Sequence, residues 1–184
     1  NANAHTNNSL AHTAPPKEIT MVIGTTMQNA LNEQINAEMY SSYLYLAMAA
    51  YFDSITLPGF AAWMKAQAKE EEIHAMKFYH AIVERGGRVI FKAIAQPPAE
   101  WKSPLDVFSA AYKHEQHVTD RINKLFELAE KQKDPASSVM LQWFVNEQVE
   151  EENNASTIVA QLKMIKDSTG GLFMLDHQLG KRGK

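Results

Sequence analysis

Four long stretches of this chain place mostly apolar residues at alternating steps of four and three, the spacing that keeps one face of a helix turned toward its neighbours. The first runs Leu31, Ile35, Glu38, Ser42, Tyr45, Ala49, Phe52, and the second Phe60, Met64, Gln67, Glu71, His74, Phe78, Ala81, Arg85. The third is Phe108, Ala111, Glu115, Val118, Ile122, Leu125, Ala129, and the fourth Leu141, Phe144, Gln148, Glu151, Ala155, Ile158, Leu162, Ile165. The pattern predicts helices over roughly residues 26–54, 59–85, 104–132 and 135–166. Local signals agree. Thr25-x-x-Gln28 has the form of a capping box. Ser103-Pro104 and Asp134-Pro135 each put a capping side chain before a first-turn proline. Gly86-Gly87 offers an easy left-handed stop to the second helix. Gly170-Gly171 is expected to end the fourth, with a short fifth helix from about Leu172 to Leu179.

The connections give the architecture. A short turn around Pro58 makes the first two helices antiparallel neighbours. Residues 88–102, with Pro97-Pro98, are too long for such a turn and predict a crossing from one end of the bundle to the other. Val89-Ile90-Phe91 within it has the composition of a short strand. The expected fold is all-α: a four-helix bundle with a long crossover between helices two and three and a short C-terminal fifth helix. Residues 1–20 are polar, carry Pro15-Pro16 and lack apolar periodicity. They are expected to be an extension, flexible or draped on the surface, ahead of one domain over 21–184.

Composition narrows the chemistry. Of 184 residues, 45% are hydrophobic and 21% charged, as in an ordinary soluble domain. A net charge of −3 gives no reason to expect nucleic acid or an anionic membrane as a partner. No apolar run is long enough to span a bilayer. The chain has no cysteine, which removes disulfides, zinc–thiolate sites, iron–sulfur clusters and thiol catalysis, and fits a reducing compartment. Eight glycines without GxGxxG or GxxxxGK argue against a nucleotide-binding loop.

The four seams share an oddity. Each carries a carboxylate near mid-helix: Glu38, Glu71, Glu115 and Glu151, with His74 and Gln148 beside them. Mid-helix residues of equally long helices meet at one level whichever way each helix points. Carboxylates crowded in a low dielectric must share protons or bind cations. The donor set is oxygen-rich with one imidazole, which suits iron or manganese, and two such ions bridged by carboxylate recur in proteins. A lone Glu-x-x-His on a helix is usually chance, and one or two buried polar groups often only fix helix register. Neither explains six polar residues in register on four seams. Glu70, Glu72, Glu147, Glu150 and Glu152 flank the seams and read first as solvated, though Glu70, Glu147 and Glu150 suit an acidic fringe leading metal away. Tyr45 is explained by core packing alone, and could also donate a hydrogen bond or an electron. Trp143 reads as core, His114 and His117 as surface. His5 and His12 read as solvated tail.

With these residues set out, the sequence resembles a bacterial non-haem ferritin across nearly all of residues 21–184. The motifs that carry it are Leu31-Asn32-Glu33-Gln34 leading to Glu38-Met39-Tyr40-Ser41-Ser42, Glu70-Glu71-x-x-His74, Tyr112-Lys113-His114-Glu115-Gln116, and Trp143 through Glu152. The resemblance implies a homo-oligomeric 24-subunit octahedral shell that oxidises Fe(II) with O2 or H2O2 and stores a ferric mineral. It implies a di-iron centre with Glu38, Glu71 and His74 at one site and Glu115 and Gln148 completing a second, Glu71 bridging. It implies a third site at Glu70, Glu147, Glu150 and Glu151, and a tyrosine beside the centre at Tyr45. Most such ferritins start near Met21, so residues 1–20 depart from the pattern. Bacterioferritin is disfavoured, because its haem-ligating methionine would fall at Glu72 and its second Glu-x-x-His at Gln148 and Glu151; no haem is expected. The cysteine-ligated iron domain of rubrerythrin has no counterpart here. The rival readings are a bundle holding metal or a polar network without redox turnover, and a di-iron oxidase of an organic substrate. The expected location is the cytoplasm. Export of an extended form is the lesser alternative, since Ala2-Asn3-Ala4 resembles a signal cleavage site but no apolar region precedes it.

Overall fold

A computed structural model describes residues 21–166 and 168–182, so the extension expected over residues 1–20 lies outside the described residues. Five helices follow in order: α1 Thr25–Ser54, α2 Pro58–Glu84, α3 Pro104–Lys131, α4 Pro135–Ile165 and α5 Thr169–Leu179. The four long ones start and end within a residue or so of their predicted bounds. Among the described residues none is long and apolar enough to cross a membrane.

The predicted caps hold where the capping group acts locally. Ser103 accepts from the Asp106 amide, and Asp134 from the Ser137 amide. Gly86 takes the left-handed conformation after α2, with φ 71°. Two signals are overturned. The N-cap of α1 is Gly24 rather than Thr25, and no side chain caps it; the Gln28 side-chain Oε1 instead accepts from the Arg88 amide at 2.9 Å. Gly170 and Gly171 do not end α4, which stops at Ile165, but form the first turn of α5 under a Ser168 cap.

Two antiparallel pairs, α1 with α2 and α3 with α4, make the bundle. The crossover runs its full length. It leaves α2 beside the start of α1, where the Ile23 amide donates to Arg85 O, and delivers α3 beside Phe52 and Phe60 at the other end. Val89-Ile90-Phe91 forms no strand. The Asn32 side chain takes the role of a neighbouring strand, donating to Arg88 O at 3.0 Å and accepting from the Ile90 amide at 2.7 Å.

The core is split. One apolar cluster gathers Leu44 to Phe52, Phe60 to Ala68, Val107 to Ala111 and Ile158 to Leu162. The other gathers Met27 to Ile35, Ala75 to Ile82, Val118 to Ala129, and Leu141 with Phe144. Between them, at the middle of all four long helices, lies a buried polar layer.

Candidate metal centre

The layer consists of Glu38, Ser41 and Ser42 from α1, Gln67, Glu71 and His74 from α2, Glu115 from α3, and Gln148 and Glu151 from α4, all buried. Ligand atoms of Glu38, Glu71 and His74 lie within 4.8 Å of one another. A second group, His74, Glu147 and Glu151, meets the same limit. His74 joins the two, with Nδ1 3.3 Å from Glu71 Oε2 and Nε2 3.8 Å from Glu147 Oε1. On the far side of the layer the Tyr45 hydroxyl donates to Glu115 Oε1. Gln148 Nε2 lies 3.3 Å from Glu115 Oε2 and 3.3 Å from Thr119 Oγ1.

The surroundings hold these groups in place. Gln34, one turn before Glu38, donates to Glu38 Oε1 at 2.8 Å, and Arg121 Nε in turn donates to Gln34 Oε1 at 2.9 Å. Gln67 donates to Glu151 Oε2 at 2.8 Å. Gln67 and Gln34 were both readable: the first sits on the α2 seam, the second at i−4 from a buried acid. Arg121 was not, because its partner lies on another helix.

Burial sets the protonation. It pushes Glu38 up to about 7 and Glu151 up to about 8, with the charge of Glu115 adding in both. Glu71 is raised well above the ordinary range by burial and then by Glu115, Glu38 and Glu151. Glu115 is also raised by burial, against the bonds from Tyr45 and Gln148. Burial lowers His74 to about 4, keeping the imidazole neutral and able to ligate. Carboxyls that hold protons at neutral pH release them to a cation, so metal and protons compete for the same oxygens. Two buried acceptors, Glu38 Oε2 and Gln67 Oε1, have no donor among the described residues. Hard oxygen donors and one neutral imidazole fit divalent first-row ions such as iron.

The flanking acids divide. Glu147 is half-buried and faces His74, raised by burial and then by the charges of Glu150 and Glu70. Glu150 is exposed and belongs to neither ligand group. Glu70 is ion-paired to Arg182 Nη2 at 2.6 Å, a partner that nothing in the sequence marked. Glu152, read as solvated, is half-buried and accepts from Thr119 at 2.6 Å. Two further readings change. His114 is not a surface residue: it is half-buried, hydrogen-bonded to Ser41 at 2.7 Å, and lowered to about 4 by burial. Trp143 is not core: it is 38% exposed, with the Lys77 ammonium 4.1 Å over its ring. Tyr45 is fully buried and makes the hydrogen bond as well.

A family model described as a ferritin-like domain matches residues 28–165. The chain is similar to a bacterial non-heme ferritin of Bacteroides fragilis (strain 638R), at 44% identity over 88% of this chain and 100% of the relative. It is similar to that of Staphylococcus aureus (strain USA300), at 38% identity over 88% and 97%. Among solved structures it is similar to an open pore ferritin from Archaeoglobus fulgidus, at 52% identity, TM-score 0.86, over 87% of this chain and 99% of that one.

Proposed function

The chain belongs to the ferritin family, which stores iron, and from that premise we propose that its buried polar layer is where Fe(II) is oxidised on its way into store. In this reading Glu38, Glu71 and His74 take one Fe(II) ion, and Glu71 bridges to a second position completed by Glu115 and Gln148. Iron is substrate here, and O2 or H2O2 accepts its electrons. The carboxylates offset the extra positive charge of the ferric product, while the neutral Gln148 amide keeps the second position labile. Tyr45 fixes one Glu115 oxygen, leaving the other for metal. Glu147, Glu150, Glu151 and Glu70 then lead the product off the centre. Twenty-four such chains in the cytoplasm would close a shell around the mineral, with no haem taking part.

The observation that carries this is the meeting of four buried carboxylates and a neutral imidazole at one level of the bundle, where Glu38 Oε2 and Gln67 Oε1 have no donor among the described residues other than a proton shared between Glu38 and Glu71. A purely structural polar network would satisfy its own acceptors. The test is oxygen consumption after adding Fe(II) to metal-free protein. The wild type is expected to turn over, and Glu38→Ala and His74→Ala to lose most of the rate. Removing a ligand or its support costs on the order of 10–100-fold in metal affinity or activity. Equal rates in all three proteins would leave a bundle without redox turnover.

A further inference from the structure

The fifth helix delivers a guanidinium to the rim of the polar layer. Its docking on α2 is tight. The Phe60 amide donates to Asp176 Oδ1 at 2.9 Å. A Cβ at Gly59 would stand 1.7 Å from Asp176 O, and one at Gly180 would stand 3.1 Å from Gly59 Cα. The chain leaving α5 is therefore fixed beside the first turns of α2, and Arg182 lies along that helix. Its guanidinium carbon is 4.6 Å from the centre of the Trp63 ring, and its Nη2 is 2.6 Å from Glu70 Oε2. Trp63 and Glu70 are seven residues apart and so share a helix face. Arg182 Nη1 is buried and has no acceptor among the described residues. The same positive charge acts on Glu151.

We infer that Arg182 is a built-in counter-cation of the acidic fringe. It holds Glu70 until a metal ion claims it, and so sets the affinity of the third position below that of the other two. The inference rests on reading Glu70, Glu147, Glu150 and Glu151 as that third position. Glu70 cannot donate its paired oxygen to a metal while Arg182 holds it. The free energy of breaking the pair is subtracted from the metal's binding. Among the described residues only Nη2 is engaged, so the exchange breaks one charge-assisted bond and the guanidinium keeps its seat on the indole. Coupling is reciprocal: an ion at the third position loosens the segment that follows α5.

The test is anaerobic calorimetric titration of Zn(II), a redox-silent ion of the same charge as Fe(II), into the assembled metal-free protein. Wild type, Arg182→Gln and Arg182→Lys are compared, each first shown by sedimentation to assemble as the wild type does. Arg182→Gln is expected to strengthen the third binding step about ten-fold, a typical coupling between linked sites, and to leave the first two steps unchanged. Arg182→Lys keeps the charge without the planar fork and is expected to fall between. Exchange of the Gly180, Lys181 and Arg182 amides, which donate to Asp176 O, Gln178 O and Leu179 O, should rise on saturation with Zn(II) in the wild type but not in Arg182→Gln. A third step equal in all three proteins, or weaker in Arg182→Gln, overturns the role of Arg182 and leaves the third position standing. Absence of a third step from every titration overturns both.

Discussion

His74 stands between two carboxylates on different helices, and its neutrality is what makes both groupings usable. Its pKa of about 4 follows from burial first and the Lys77 charge second. The acids move the opposite way, and the metal-free protein should show it. Glu38 and Glu151 bind protons up to about 7 and about 8 in the folded state, against an ordinary 4.5. Between those values the folded chain holds protons the unfolded chain has lost, so stability falls as pH rises. His74 and His114 oppose this between about 4 and 6.5, where the unfolded chain holds the extra proton. Above 6.5 the carboxyls act alone. The thermal midpoint of the metal-free protein is expected to drop from about pH 6.5 to about pH 8, and saturating Zn(II) to abolish the drop; a flat metal-free profile would contradict the layer's electrostatics. Replacing Glu38 by Gln removes one such acid. Metal-free stability near pH 8 should rise by about 1–3 kcal/mol, the scale of an unsatisfied buried group, while Fe(II) oxidation is lost. Denaturant unfolding and oxygen uptake read the two effects separately.

At the scale of elements, α5 docks on α2 backbone against backbone. Gly59→Ala puts a methyl group into the Asp176 carbonyl, where backbone rather than a flexible side chain would have to move. Overpacking of this kind costs about 1–3 kcal/mol. The expected result is undocked α5, with fast amide exchange over 169–179 and α1–α4 still protected. The four long helices were legible because periodicity is a local signal, and so were the caps at Ser103 and Asp134, whose donors lie three residues on. Mid-helix placement was enough to bring Glu38, Glu71, His74, Glu115, Gln148 and Glu151 to one level. Apart from Gly170-Gly171, which a local Ser168 cap turns into the start of α5, what failed were features set by distant partners. Gln28 was drawn from its expected cap by Arg88, and Asn32 occupied the backbone groups that a strand over Val89–Phe91 would have used. Glu70 was claimed by Arg182, 112 residues away in the chain. No spacing rule reaches that far.

At the scale of the whole molecule, a single chain leaves large apolar side chains exposed on several elements. Tyr43 and Leu46 on α1, Ile90, Phe91 and Ile94 on the crossover, and Phe173 and Met174 on α5 are all open to solvent. Patches of this kind mark association sites. Sedimentation is expected to give a particle of twenty-four 20.7 kDa chains, and Leu46→Glu to break it into smaller species without loss of helix content. A monomeric wild type would remove the shell while leaving the centre. The split core has a consequence for how such a particle can be composed. The polar layer occupies mid-helix positions and supplies neither helix cap nor turn, while an apolar cluster on each side supports the helices independently. A subunit whose layer is rewritten in apolar residues would keep its outline and its place among its neighbours. If the proposed oxidation and shell hold, oxidising and silent subunits would share one container, and the pace of uptake would vary with their ratio while the capacity stayed fixed: a division of labour among copies of one backbone.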